Sequence, residues 1–393
     1  MKKILALLLA VAMVFALAAC SQKPADPTQA ANPTQATDPT QAADPTQGAT
    51  DDGVRHKIGM IWYGNTDPMG GTFYAWANHA AELLNVELVW HLGDFTTEAE
   101  LAAAEQMITA GCEGIYFIPM DTAANLQVGN ACMNANVYWA ISNRDIIDED
   151  IKNACYANPY MVTHIWDASY DVAKEMVKVL ADQGITKVCM ISGDPKDAMM
   201  VERNEGFRDG CAEYGVEILG TFQSDTDAKV ITDGVSNFLT LYPNMEGIIA
   251  VSGTAGVGEA IISTLEGSGR EVGSIKVATF DTFDGNKEAF EKGWLATSCG
   301  GYTPECLVSF LSLVNRVKGN AAPESPMKLS LNPILITSAE EMDTFSAYVD
   351  NPEIQLYSDE DILNMVQPTC DEAYYQSVLD RWSIDFVKEA VGK

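Results

Sequence analysis

Between His56 and Phe280, short β-rich runs alternate with helical runs, and that alternation leaves few architectures open. The segments His56–Tyr63, Val86–Leu92, Ile115–Ile118 and Val137–Ile141 are dense in Val, Ile, Leu and aromatic residues, which favour strands. Between them lie Thr72–Leu84, Thr97–Ala110 and Asp121–Asn134, which carry apolar residues at helical spacing. Phe73, Trp76, Ala77, Ala80, Ala81 and Leu84 mark the first of these. The chain then begins again. Helical patterns at Ala168–Gln183, Met200–Tyr214, Ala228–Leu241 and Gly256–Gly267 interleave with strand patterns at Val188–Ser192, Val216–Phe222, Gly247–Ser252 and Lys276–Phe280. Strands separated by helices of this length build parallel βαβ units, so the expected class is α/β with two doubly wound parallel-sheet lobes.

A break is expected near Tyr156–Trp166, where Asn158-Pro159 interrupts any regular element. The lobes are accordingly placed at 54–160 plus 302–331 and at 161–301 plus 332–393. After Gly301 come a helix over Pro304–Lys318 and a strand-like run over Lys328–Thr337. The tail beyond carries Tyr374, Tyr375, Trp382 and Phe386, which suggest helices packed against a lobe.

Composition narrows the function. With 47% apolar and 20% charged residues the chain can bury a substantial core. A net charge of −31 argues against nucleic acid and anionic lipid as partners. Of nine cysteines, eight (Cys112, Cys132, Cys155, Cys189, Cys211, Cys299, Cys306 and Cys370) are scattered through helical and buried-strand patterns. No CxxC occurs and the four histidines lie far apart, so free buried thiols are expected and no metal site. No serine elbow or Cys-His arrangement is visible, and neither enzymatic chemistry nor a cofactor is expected. Gly253-Thr254-Ala255-Gly256-Val257-Gly258 has neither the dinucleotide nor the P-loop spacing and reads as a strand-to-helix turn. The acidic run Asp145–Asp150 reads as a solvated loop.

The first residues speak of location. Met1-Lys2-Lys3, an apolar run from Ile4 and small residues before Cys20 describe an export signal over 1–19. Leu17-Ala18-Ala19-Cys20 resembles the lipobox of bacterial lipoproteins, which implies lipidation of Cys20. Residues 20–53 follow as a linker in which Asp/Asn-Pro-Thr-Gln recurs every six residues. Its prolines favour extended chain, about 3 Å per residue, so it could reach on the order of 100 Å. The expected setting is the extracytoplasmic face of a Gram-positive-type cell membrane.

The body also carries a family pattern. Lys57-Ile58-Gly59-Met60-Ile61-Trp62 followed by Asn65-Thr66-Asp67-Pro68, Gly114–Pro119, Asn143-Arg144, Arg203-Asn204-Glu205-Gly206-Phe207 and Ala278-Thr279-Phe280-Asp281 occur in order and at characteristic spacing. Together they resemble the type I solute-binding proteins of the ribose- and galactose-binding kind, over Lys57–Thr337. The resemblance implies two lobes joined by three crossings with a ligand cleft between them. It implies ligand contacts at Tyr63, Asp67, Asn143, Arg144, Arg203, Ser252, Asp281 and Tyr302, with Trp62 and Trp166 as further aromatic candidates. Met69-Gly70-Gly71, Asn143, Ser252 and Gly301 depart from the family's usual residues, and these departures bear on the ligand more than on the fold. The expected function is that of a lipid-anchored binding protein delivering a small polar molecule, a carbohydrate, to the membrane subunits of an ABC importer. The alternatives are a sensor that docks on a receptor, and an importer component for a nucleoside or a sugar-like signal molecule.

Overall fold

The computed structural model describes residues 53–93, 96–119, 121–195, 197–224, 227–320, 326–349 and 351–393. The expected export signal, Cys20 and the linker up to Asp52 lie outside the described residues. The chain first lays down β1 (His56–Trp62), α1 (Pro68–Leu83), β2 (Val86–Leu92), α2 (Thr97–Thr109), β3 (Gly114–Phe117), α3 (Thr122–Ala135), β4 (Tyr138–Ile141), α4 (Glu149–Tyr156) and β5 (Met161–Asp167). It continues with α5 (Ser169–Asp182), β6 (Lys187–Ser192), α6 (Ala198–Tyr214), β7 (Glu217–Gln223), α7 (Ala228–Leu241), β8 (Gly247–Ala250), α8 (Val257–Gly267), β9 (Lys276–Thr279), α9 (Asn286–Glu291) and β10 (Leu295–Gly300). Then follow α10 (Thr303–Val317), β11 (Met327–Leu331), β12 (Ile334–Ile336), α11 (Ala339–Tyr348), α12 (Asp359–Asn364), α13 (Glu372–Asp380) and α14 (Ile384–Ala390).

Two six-stranded sheets result, ordered β11-β5-β4-β3-β1-β2 and β12-β10-β9-β8-β6-β7. Neighbouring strands are parallel throughout, except for the antiparallel β10–β12 pair. This is the doubly wound α/β arrangement expected from the alternation. In each sheet the strand order reverses beside the opening strand: β1 pairs with both β2 and β3, and β6 with both β7 and β8. Loops leaving the carboxyl ends of strands diverge at such a point and leave a crevice. Part of the acidic excess has a local use here. Asp67, Asp121, Asp148, Asp197, Asp227 and Asp371 each cap a helix N-terminus by accepting from its backbone N–H groups.

Several elements depart from expectation. The break placed at 160/161 falls seven residues too early, because β5 extends the first sheet beside β4 to Asp167. Asn158-Pro159 occupies only the turn before that strand. The strand-like run over Lys328–Thr337 is two strands in two different sheets, parted at Asn332-Pro333, where proline has no N–H to continue a ladder. The acidic run is not all loop: Asp148 caps α4, and Asp145 pairs with Lys152 at 3.1 Å. Helix α9 and strand β10 were not foreseen, since Ala296-Thr297-Ser298-Cys299-Gly300 is small and polar yet fully buried.

The tail, assigned to the second lobe with residues 332–393, packs on both. Strand β12 joins the second sheet and α11 lies against α9, whereas α12 packs on α1 and α13 on β11 and α10. Helix α14 returns to α11. Strand β11 is the outer strand of its sheet, and α13 covers its edge: Lys328 N–H donates to Glu372 at 3.0 Å, and Ser330 N–H to Gln376 at 3.1 Å. Trp76 of α1 donates its indole N–H to the Ile354 carbonyl at 2.7 Å. One apolar core therefore runs from Trp62, Phe73 and Trp76 through Tyr357 to Phe345, Trp382 and Phe386. Trp62, considered for ligand stacking, belongs to that core at 1% exposure and donates to the Gly70 carbonyl.

Two outcomes follow from this packing. All eight cysteines of the body are buried free thiols, and burial pushes Cys132, Cys189, Cys211 and Cys299 up to about 12. The native protein should thus leave an aromatic disulfide reagent unreacted at pH 8, and denaturation without reductant should release all eight. Trp382→Ala, which empties the join between tail and core, should cost about 3–5 kcal/mol in denaturant unfolding.

Candidate ligand-binding site

The loop from β1 to α1 brings the first polar groups to a strand end. Asp67 caps α1, its Oδ1 accepting from Gly70 N–H at 3.0 Å and from the Tyr63 hydroxyl at 2.9 Å. Asn143 and Asp281 occupy matching places in the two sheets, each two residues past its strand, β4 or β9. Both are in the left-handed region, with φ of 74° and 62°. Asn and Asp enter that region more readily than other side-chain-bearing residues, and a non-glycine residue held there marks a constrained site.

Asp281 collects hydrogen bonds from three side chains. Its Oδ1 accepts from the Tyr302 hydroxyl at 3.0 Å, and its Oδ2 from Ser252 and from Arg203 Nη1, each at 3.2 Å. Arg203, expected to reach ligand directly, lies at 1% exposure behind this carboxylate. Its Nε donates to Ser169 at 3.2 Å, Nη1 also to the Val251 carbonyl at 2.9 Å, and Nη2 to the Tyr302 hydroxyl at 3.2 Å. Asp167, the last residue of β5, stands 3.6 Å from Nη2, and the guanidinium covers the Phe280 ring at 4.1 Å. Burial alone would lower the basicity of Arg203, but Asp281, Tyr302 and Asp167 reverse the sign and keep it charged. Burial pushes the Asp167 carboxyl up, against the pull of Arg203. Burial, with Asp281 alongside, holds the Tyr302 phenol protonated. Arg203 thus holds the Asp281 carboxylate in place from behind.

Asn143 and Arg144 form a second cluster. Asn143 donates to Glu305 at 2.9 Å and accepts from Arg144 Nη1 at 2.9 Å. Arg144 Nε stands 3.9 Å from Asp197, the cap of α6, so this pair links the two lobes. Glu305 is fully buried; desolvation, then the nearby Asp167, holds its carboxyl well above the usual range. His164 donates from Nε2 to the Arg144 carbonyl at 3.0 Å, because a carbonyl only accepts; Nδ1 accordingly accepts from Tyr156 at 2.8 Å. Burial lowers His164 to about 4. Trp166 packs on that imidazole at 4.9 Å.

Tyr63, Asp67, Asp281 and Tyr302 border one cavity of about 570 Å³, between the β1–α1 loop and the carboxyl ends of β8, β9 and β10. That size suits a small-molecule site. Ser252 stands beside it, bonded to Asp281 and Thr254. Arg203 lies beneath, and Asn143 and Arg144 are outside its lining. Thr254, in the turn set aside above, is in the wall, as are Met342, Phe345 and Ser346 of α11, which no local pattern announces. Asp67, Glu259, Asp281 and Asp284 line the cavity together with hydroxyls such as those of Tyr63, Thr254 and Tyr302, and its described lining includes no Lys, Arg or His, so its polar side offers mainly hydrogen-bond acceptors. A second cavity of about 580 Å³ lies between α7 and α8 and touches no strand end.

Glu202, next to Arg203, supplies a pH test. Burial, then Asp167 and Asp145, raises it from 4.5 to about 8. Its contribution to stability is therefore complete below pH 4.5 and lost as pH rises through 8. Glu202→Gln should raise the melting temperature by several degrees at pH 8 and leave it unchanged at pH 4.5, as read by thermal unfolding at both values.

Comparison with known proteins agrees with this architecture. No curated protein matches the chain in sequence. Among solved structures, an ABC transporter solute-binding protein from Actinobacillus succinogenes with bound D-allose aligns at a TM-score of 0.62 and 16% identity, over 73% of this chain and 98% of that one. The arabinose-binding component from Shewanella aligns at 0.60 and 16%, over 74% and 93%, and the Caulobacter myo-inositol-binding protein at 0.60 and 16%, over 74% and 96%. Such identities show a shared fold, the type I periplasmic-binding-protein fold. The family model described as a periplasmic binding protein domain matches residues 58–306, well over half of the chain, and the chain belongs to that family.

Proposed function

We propose that this chain is the extracytoplasmic substrate-binding component of an ABC importer, anchored through Cys20, and that it holds a carbohydrate in the cavity beside Asp281. The observation that carries the reading is the Asp281 cluster. One carboxylate, fixed by Arg203, Ser252 and Tyr302, borders a cavity that the β1–α1 loop of the other lobe also borders. Closing the lobes on a ligand adds contacts that the open form lacks, and that difference drives the closed state. The closed face would then be read by the importer's membrane subunits. The sugars named for the structural neighbours favour a polyhydroxylated ligand.

A thermal-shift screen against sugars, polyols, nucleosides and amino acids tests the reading, since a ligand that binds only the native state raises the melting temperature. One carbohydrate should stand out. Asp281→Ala should weaken it by roughly 10- to 100-fold, the value of a charged hydrogen bond or two. Shifts with nucleosides or amino acids only would discard the carbohydrate and keep the fold.

A further inference from the structure

The carboxylates that border the cavity outnumber the cations that balance them. Of Asp67, Glu259, Asp281 and Asp284, only Asp281 is met by a described cation, Arg203 at 3.2 Å. We propose that the ligand of this site carries a protonated amino group, and that Glu259 and Asp284 select an amino sugar over its neutral parent. The inference rests on the carbohydrate reading above and narrows its class.

Three observations carry it. First, two of the four acids serve the fold and two do not. Asp67 caps α1, and Asp281 is fixed by Arg203, Ser252 and Tyr302. Glu259 and Asp284 have no cation within ion-pair distance among the described residues. The Asp284 backbone N–H donates to Glu259 Oε1 at 3.3 Å, which ties the β9–α9 loop to the first turn of α8 and brings both acids to one wall. Glu259 Oε2 is buried without a hydrogen-bond partner. A buried carboxylate oxygen without a donor costs free energy, and an ammonium group supplies donors and charge together. Second, the acids are spread out. Among the described residues no three Asp, Glu, His or Cys side chains are grouped as the ligands of one metal ion would be. An organic cation can meet such acids one or two at a time while its hydroxyls reach Asp281. Third, Tyr63 of the first lobe and Phe283 of the second border the same cavity, and both are only partly buried. Gly258 makes room for Phe283, since a Cβ there would collide with its ring. Aromatic rings attract cations, more strongly once water is excluded.

Calorimetric titration tests the proposal at a pH where sugar amines are protonated. It compares D-glucosamine with D-glucose and D-galactosamine with D-galactose, with the N-acetyl sugars as uncharged counterparts and putrescine as an amine without a sugar. The wild-type chain should favour the amine over its neutral parent by about tenfold or more in at least one pair, the value of one charged contact, and N-acetylation should abolish that gain. Raising the salt to about 0.5 M should reduce the preference, because Asp284 is exposed and its charge is screened. Glu259→Gln and Asp284→Asn remove charge and keep size; each should lower the preference by about threefold, and the double variant should bring it close to parity. Thermal unfolding checks that the variants fold. A wild-type chain that bound a neutral sugar as tightly as its amino counterpart would overturn the inference while the carbohydrate reading stood, as would an amine preference unchanged in the double variant. Binding of putrescine without any sugar would overturn the carbohydrate reading, and the amino sugar with it. No binding across the panel would overturn both.

Discussion

The Arg203 guanidinium is the interaction on which the site depends. It is a buried cation where the chain first leaves one sheet for the other, within reach of Asp167 on the first sheet and of Asp281, Val251 and Tyr302 around the second. Taking such a charge out of water is costly unless its donors and its charge are met, and here both are. The arrangement fixes more than a charge. It sets the Asp281 carboxylate, ties down the Tyr302 phenol at the second crossing and anchors Ser169 at the first. Two of the connections between the lobes therefore share a single electrostatic centre.

A second centre, around Asn143, complements the first. Asn143 and Asp281 stand at matching positions of two similarly wound sheets, and both have a left-handed backbone. Their partners differ: Asp281 borders the cavity, whereas Asn143 is bonded to the buried Glu305 and to Arg144. A repeated fold thus has unequal surroundings at this position, with one copy bordering the cavity and the other lying at the joint between lobes.

Much of the fold was legible because parallel strands buried on both faces must be rich in β-branched and aromatic residues. Strand β10 escaped notice for the opposite reason: Ala296 to Gly300 lies in a crowded crossing where only small side chains fit. One proline misled and another was passed over inside a single strand-like run. Pro159 sits in a turn and does not end a lobe, while Pro333 does mark the passage between sheets. Of the residues that border the cavity, Tyr63, Asp67 and Asp281 follow strands that the sequence pattern marks, whereas Tyr302 follows β10 and was named through the family resemblance alone. The depth of Arg203 could not be read in either way, since burial depends on the carboxylates folded around it. Nor could the contribution of α11, which reaches the cavity from far along the chain.

The tail has a bearing on the order of events during biogenesis. Trp76 bonds to Ile354, and Tyr357, Tyr375 and Phe386 complete the core that Trp62 and Phe73 begin, so the first lobe closes only when the last residues of the chain are present. Contacts of such sequence separation slow folding, because long stretches of chain must be ordered before the contacts repay the entropy. A polypeptide still being synthesised cannot complete the core around Trp62, Phe73 and Trp76 before Tyr357, Tyr375 and Phe386 are available.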